Sequence, residues 1–376
     1  MIDDVPSLTV EALSRRRHGR PAGLDSFFDR HARAFTYYGS GKVALRDGLA
    51  GVLEAGQNVL LPAYLPDGVV EPLYELGLEP RYYAVRSTLA PDFADIEGRA
   101  DGNTGAVVSV DYFGFPQPGL EEVAAIAADR GWYHVDDNAH APISRSEGRL
   151  LGTLGDLGIT SLWKLLPVPN GAILYLTGDD VREGYDPSDL AGVRDGLGAA
   201  DCRFVLKSFV GDLLESNAML RHSVEAILAE RGDGDAPAVG GPKARYERAK
   251  VRMSKLSMRI VEDSDPEKIR TARRANYRAW LDVLGGRADL EPVYDSLPRG
   301  ICPQAFPVRA ARPDAFLAEL ETAGIGAHTW PRLSDEVLED PEYETATRLS
   351  REIVTLPVHQ EIEPGRIAAL GDRLRR

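Results

Sequence analysis

One pair of segments constrains this chain more than any other: WYHVDDNAHAPIS at residues 132–144, then TSLWKLLPVPNGAILY at residues 160–175. Residues 132–135 read as a short buried strand, because an apolar run of this length between turn formers suits the interior of an α/β sheet. Asp136, Asp137 and His140 then emerge at its carboxyl end, where open α/β sheets form their ligand crevices. His134 lies within the strand and alternates away from that end. Lys164 adds an amine after the next apolar run, and no other lysine or histidine nearby takes its place. The same residues also suit a strand-end turn, a helix cap and a surface lysine, so the segment by itself leaves both readings open.

Upstream, residues 35–40 lead into Gly41, and KVALRDGLAGVL at residues 42–53 has the spacing of an amphipathic helix. NVLLPAY follows as an apolar strand ending in a proline-bounded loop. Gly-Ser-Gly at a helix start leaves backbone N–H groups unpaired and turns the positive end of the helix dipole outward. Ser40, Gly41 and the Lys42 ammonium therefore suit a phosphate, although the same triplet also serves as a plain flexible turn.

Pyridoxal phosphate (PLP) requires this combination of groups. It acts as an electron sink when a carboxylate keeps its pyridine nitrogen protonated and a lysine holds its aldehyde as a Schiff base. Asp137 and Lys164 match those two tasks, and His140 is placed to reach the ring oxygen or the ring face.

These motifs, in this order, resemble the DegT/DnrJ/EryC1/StrS sugar aminotransferases, a group of fold-type I PLP enzymes. Ser40 to Leu45 resembles the family's phosphate segment, and Val59 to Tyr64, with Val69 beyond, resembles its strand and loop. Val110-Asp111-Tyr112-Phe113-Gly114, Asp136 to Ala141, and Gly152 to Asp156 followed by Thr160-Ser161-Leu162, Lys164 and Asn170-Gly171 continue the series. Lys250 to Ser257 and Leu356-Pro357-Val358-His359 carry it toward the carboxyl terminus.

The resemblance implies an α/β fold of type I: a large domain with a mostly parallel seven-stranded sheet and a smaller C-terminal α/β domain. We divide the chain at 1–245 and 246–376, with an interdomain helix in the second part. It further implies Asp137 at the pyridine nitrogen, His140 at the ring oxygen and Ala139 against one ring face. Ser161 joins Ser40, Gly41 and Lys42 around the phosphate, and Lys164 is the Schiff-base residue. Lys250 and Arg252 belong to the segment that reaches a partner subunit, so the implied assembly is a homodimer with composite sites. His328 and His359 stand as substrate-side candidates.

Four departures qualify the correspondence. Ser161 and Lys164 lie two residues closer together than in the family, which demands a compact turn running into Pro167 and Pro169. Lys42 replaces a threonine, exchanging a hydroxyl for a point charge. Pro66 stands where an aromatic ring stacker is usual, leaving Tyr64 as its substitute. Lys250 replaces an asparagine of the partner-reaching motif.

The expected activity is PLP-dependent transfer of an amino group from an amino acid, glutamate or glutamine, to a keto sugar, nucleotide-linked, or to a related cyclic ketone. A PLP- or PMP-dependent sugar dehydratase is the alternative within the resemblance, disfavoured by Lys164 because that chemistry uses a histidine there. A catalytically inactive interaction or regulatory protein on the same scaffold is the alternative outside enzymology.

Composition agrees with these expectations. The 376 residues suffice for two domains. With 44 Lys and Arg against 58 Asp and Glu, the net charge of −14 argues against nonspecific nucleic-acid binding. Cys202 and Cys302 are the only cysteines, without metal-ligand spacing, so neither a disulfide framework nor a metal site is expected. The amino terminus has no basic region feeding an apolar run, and no long apolar stretch follows, so a cytoplasmic protein without membrane contact is expected. His18 and His31 sit in an arginine-rich amino-terminal region (RRRHGR around His18) read as surface or dimer contact.

Strands are expected at residues 104–112, 132–135 and 172–176, and at 301–308 in the smaller domain. Helices are expected at residues 120–130, 266–284 and 314–323, and an exposed loop at residues 232–241.

Overall fold

The computed structural model describes residues 23–206 and 241–374, together with Ile2 and Pro6. The expected loop at residues 232–240 and the arginine-rich stretch around His18 lie outside the described residues; Gly241 precedes the helix Pro242–Ala249.

Seven strands form the large sheet: β1 (Phe35–Tyr38), β2 (Asn58–Pro62), β3 (Glu79–Tyr83), β4 (Thr104–Val110), β5 (Tyr133–Asp137), β8 (Leu157–Ser161) and β9 (Ala172–Leu176). A short hairpin supplies β6 (Arg145–Ser146) and β7 (Arg149–Leu150). The large sheet runs β1-β9-β8-β5-β4-β2-β3. Every neighbouring pair from β8 to β3 is parallel, whereas β9 is antiparallel to both β8 and β1. Every residue of β2, β4, β8 and β9 is buried, as expected for strands covered on both faces. The sheet is the mostly parallel, seven-stranded one that the resemblance implies.

A smaller antiparallel sheet follows, ordered β10 (Leu290–Pro292), β11 (Ala305–Ala310), β13 (Ile353–Pro357), β12 (His328–Thr329). The long helix Pro266–Leu284 starts at Asp265, whose carboxylate accepts from the N–H groups of Glu267 and Lys268. Buried side chains of both sheets belong to one continuous apolar core. No helix among the described residues is long and apolar enough to cross a membrane.

The helices at 120–130 and 266–284 and the strand at 172–176 have the expected limits. Other limits shift. Strand β5 runs on through Asp137, because Asp136 and Asp137 still pair with Ser109 and Val110 of β4 and with Gly158 and Ile159 of β8. Strand β4 stops at Val110, where Tyr112–Gly114 turns away with Phe113 in the left-handed region at φ 58°. The helix expected at residues 42–53 spans Gly41–Ala50. The smaller domain's strand begins at Ala305, after Pro303, and its helix spans Pro313–Thr322.

Candidate active site

The carboxyl ends of the parallel strands gather the chemistry. Strand β1 leads through Gly39 to Ser40, which caps the helix Gly41–Ala50 by accepting a hydrogen bond from Lys42 N at 3.3 Å. Strand β5 ends in Asp137 and β8 in Ser161. The chain then makes a 3₁₀ turn, Leu162–Lys164, and returns through Asn170 and Gly171 into the reversed strand β9. A Cβ built on Gly41 would stand 3.2 Å from Ser161 Oγ, so the serine hydroxyl and the helix amino terminus face each other directly.

Strand alternation separates the two aspartates. Asp136 is fully buried and accepts hydrogen bonds from Gly152 N at 2.8 Å and Leu154 N at 3.0 Å. It also lies against Asp111, whose carboxyl is held far above the usual carboxylate range by burial and by the Asp136 charge. Asp136 thus braces the strand end from behind. Asp137 accepts from Ala139 N at 2.9 Å. Burial pushes the Asp137 carboxyl up to about 6, offset in part by the Ala139 N–H and the Lys164 charge.

Burial pushes the Lys164 amine down to about 8, with Asp137 acting upward and Lys42 downward. Its Nζ lies 5.7 Å from the ring centroid of Trp163, within cation–π range. His140 is buried and held well below its ordinary range, first by burial and then by the Lys164 charge. Phe113 N donates to His140 Nδ1 at 3.1 Å, which leaves the neutral ring carrying its hydrogen on Nε2. The turn presenting Phe113 requires Gly114: its φ is 99°, and a Cβ there would stand 2.6 Å from Cys302 O.

A cavity of about 260 Å³ opens beside these groups, lined by Phe113, His140, Trp163, Lys164, Gln304 and Trp330, with His328 and Thr355 among the other walls. Trp330 meets the His140 ring edge-on, with centroids 4.8 Å apart. The structure therefore brings Asp137, His140 and Lys164 together, with Ser40, Gly41 and Ser161 at the adjoining helix start. Lys42 packs its ammonium against Gly68 beside that start, and burial, chiefly, lowers its proton affinity. Ala139 is half-buried on the loop between Asp137 and His140.

Other candidates fall elsewhere. Tyr64, the substitute ring stacker, is buried edge-on to Tyr112 and Trp330 and donates its hydroxyl hydrogen to Trp330 O, so it supports the cleft wall rather than forming it. Lys250 pairs with Glu75 and Glu247 at 3.0 and 2.7 Å, and exposed Arg252 donates to Ala191 O at 2.9 Å. Neither lines the cavity. His359 is buried behind the wall, its carbonyl accepting from Asn276. His31 stacks on Phe27 with centroids 4.3 Å apart, away from the cleft.

Sequence reading missed Gln304 and Thr355, which come from the smaller domain and have no local signature. Phe113 lay inside the segment Val110 to Gly114, Trp330 lies two residues beyond His328 and Trp163 adjoins the lysine, so their aromatic character was the available signal.

With the geometry in place, comparison with known proteins identifies the scaffold. The DegT/DnrJ/EryC1/StrS aminotransferase family matches residues 29–171, a segment holding Ser40, Asp137, His140, Ser161 and Lys164. The matched segment is similar to that family over its whole phosphate-to-lysine series. GDP-perosamine synthase of Escherichia coli O157:H7 is 26% identical over 135 residues, covering 35% of this chain and 37% of the relative. The alignment thus spans little more than a third of that enzyme's length.

Solved structures extend the likeness across the fold. The sugar aminotransferase CalS13 of Micromonospora echinospora has a TM-score of 0.69 at 17% identity, covering 100% of this chain and 99% of that one. Helicobacter pylori PseC, an aminotransferase involved in the biosynthesis of pseudoaminic acid, has a TM-score of 0.69 at 12% identity, covering 99% and 97%. The shared fold accordingly includes the smaller domain, beyond the segment matched by sequence.

Proposed function

We propose that this chain is a PLP-dependent aminotransferase that moves an amino group from an amino acid, glutamate or glutamine, onto a keto sugar, nucleotide-linked, or a related cyclic ketone. The observation that carries the reading is the meeting of Asp137 and Lys164, both with strongly perturbed proton affinities, at the strand edge that also holds the Ser40 helix start. Perturbed acid–base pairs in a cleft mark reactive sites. The family match and the sugar-processing relatives support the substrate class.

The donor set fits the cofactor. The unpaired N–H groups at the Gly41 helix start, the hydroxyls of Ser40 and Ser161 and the Lys42 ammonium would hold its phosphate. Asp137 would hold its pyridine nitrogen protonated, with His140 and Ala139 beside the ring. When bound, PLP supplies the electron sink that makes the substrate's Cα hydrogen acidic. Lys164 then serves as the base. Its amine, whose protonation burial disfavours, would accept the proton leaving the substrate's Cα. The aromatic rings of Phe113 and Trp330 would limit the water around that transfer.

The proposed enzyme has a large domain over residues 1–245 and a smaller one over 246–376, a cytoplasmic location and a homodimeric assembly in which Lys250 and Arg252 reach the partner's cleft. Borohydride treatment of the purified protein tests its central claim. The protein should carry a visible absorbance that borohydride bleaches, and peptide mapping should find a pyridoxyl group on Lys164. An adduct on Lys42 instead, or a colourless protein that takes up no PLP, overturns it.

A further inference from the structure

Arg273, on the helix Pro266–Leu284, is only 1% exposed. All five of its N–H donors have partners, and every partner is neutral. Nε donates to Gln360 Oε1 at 2.9 Å. Nη1 donates to the carbonyls of Pro303 and Gln304, each at 3.2 Å. Nη2 donates to the carbonyls of Lys164 at 3.3 Å and Leu165 at 3.0 Å. Gln360 Nε2 reaches the same Leu165 carbonyl at 3.1 Å. A buried guanidinium whose hydrogen bonds all go to neutral carbonyls, with Glu361 as the carboxylate that attracts it without a hydrogen bond, is expensive, and an apolar side chain would fill the space at lower cost if packing were its only purpose.

What the guanidinium grips accounts for the expense. Lys164 sits on a compressed turn three residues after Ser161, followed closely by Pro167 and Pro169, which have no N–H to offer. Arg273 takes the Lys164 and Leu165 carbonyls and ties them to Pro303 and Gln304 on the opposing wall. Gln304 N in turn donates to Phe113 O at 2.8 Å, and Phe113 N holds His140. One side chain thus connects the lysine turn, the Gln304 wall and the His140 turn.

We propose that Arg273, oriented by Gln360, is the positioning residue for Lys164, fixing the shortened turn so that the amine points into the cleft. The proposal rests on Lys164 being the reacting amine.

The test reads Lys164 directly. The full chain, stripped of bound small molecules, is acylated with trace acetic anhydride across pH, and the modified Lys164 peptide is quantified by mass spectrometry. Arg273→Lys keeps the charge but loses the planar fork, while Gln360→Leu removes its orienting partner from a half-buried position that burdens folding less. Each should release the turn toward water and raise the Lys164 midpoint by about one unit, slowing acylation at pH 7 about 10-fold. In turnover assays kcat should fall about 10-fold with KM changed less than about 3-fold, since an ill-placed base weakens the reaction step rather than ground-state binding. Folded variants with the parent midpoint and parent kcat overturn the proposal. A shifted midpoint in a protein whose parent has no aminotransferase activity would leave the positioning intact and overturn the proposed reaction instead.

Discussion

Replacing Asp137 by Asn should make Lys164 a better free nucleophile and the enzyme a worse catalyst. Lys164 is pushed down to about 8 by burial, against an upward pull from the Asp137 carboxylate. Removing an opposite charge at this range shifts a titration by roughly one unit, so the midpoint should fall to about 7. At pH 7 the free-amine fraction then rises from about 9% to about 50%, and acylation of Lys164 in the cofactor-free chain should accelerate about 5-fold. The effect should vanish above about pH 9, where both amines are already deprotonated. Transamination should fall by at least about 100-fold in the same variant, because the pyridine nitrogen loses the charge that keeps it protonated. Competitive acylation with peptide mapping measures the first effect and a single-turnover assay the second. An unchanged or raised Lys164 midpoint would refute the electrostatic pairing. A larger catalytic loss in Asp136→Asn would show that the wrong strand face had been assigned to the site.

Lys164→Met should remove a pH dependence of stability. The folded-state value of about 8 lies below the unfolded 10.5, so the parent should carry a penalty below pH 8 that disappears as pH rises to 10.5. Melting temperature should therefore rise over that window in the parent relative to the variant, and parallel curves would count against the buried ammonium. Ser254→Ala should destabilise the chain by about 1–2 kcal/mol in urea unfolding. Its hydroxyl caps the helix Lys255–Asp263 and donates to buried Asp201 at 2.6 Å, so a loss under about 0.3 kcal/mol would contradict the capping role. Mixing Lys164→Ala subunits with Arg252→Ala subunits should restore one complete cleft per heterodimer, and verified subunit exchange without recovered activity would place Arg252 outside the partner's site.

Much of the site was legible because its signals are local. The period of two in a strand distinguishes Asp137 from Asp136, and a Ser-Gly pair before an amphipathic run marks a helix start whether or not anything binds there. Helices 120–130 and 266–284 were readable because Gly131 ends the first and Asp265 caps the start of the second, signals in the chain itself. The end of β5 was less legible. Two acidic residues look like a turn in sequence, yet they remain in the strand because β4 and β8 offer backbone partners on both sides. Tyr64 misled for a related reason: its position after a strand suggested the cleft, but the Tyr112 and Trp330 rings close over it. The wall from Gln304 to Trp330 and the grip of Arg273 on the Lys164 turn depend on segments more than 100 residues apart. Local propensity extends over a few residues, whereas these contacts exist only once two sheets share one core and bring backbone carbonyls, which have no identity in a sequence, within reach of a single guanidinium.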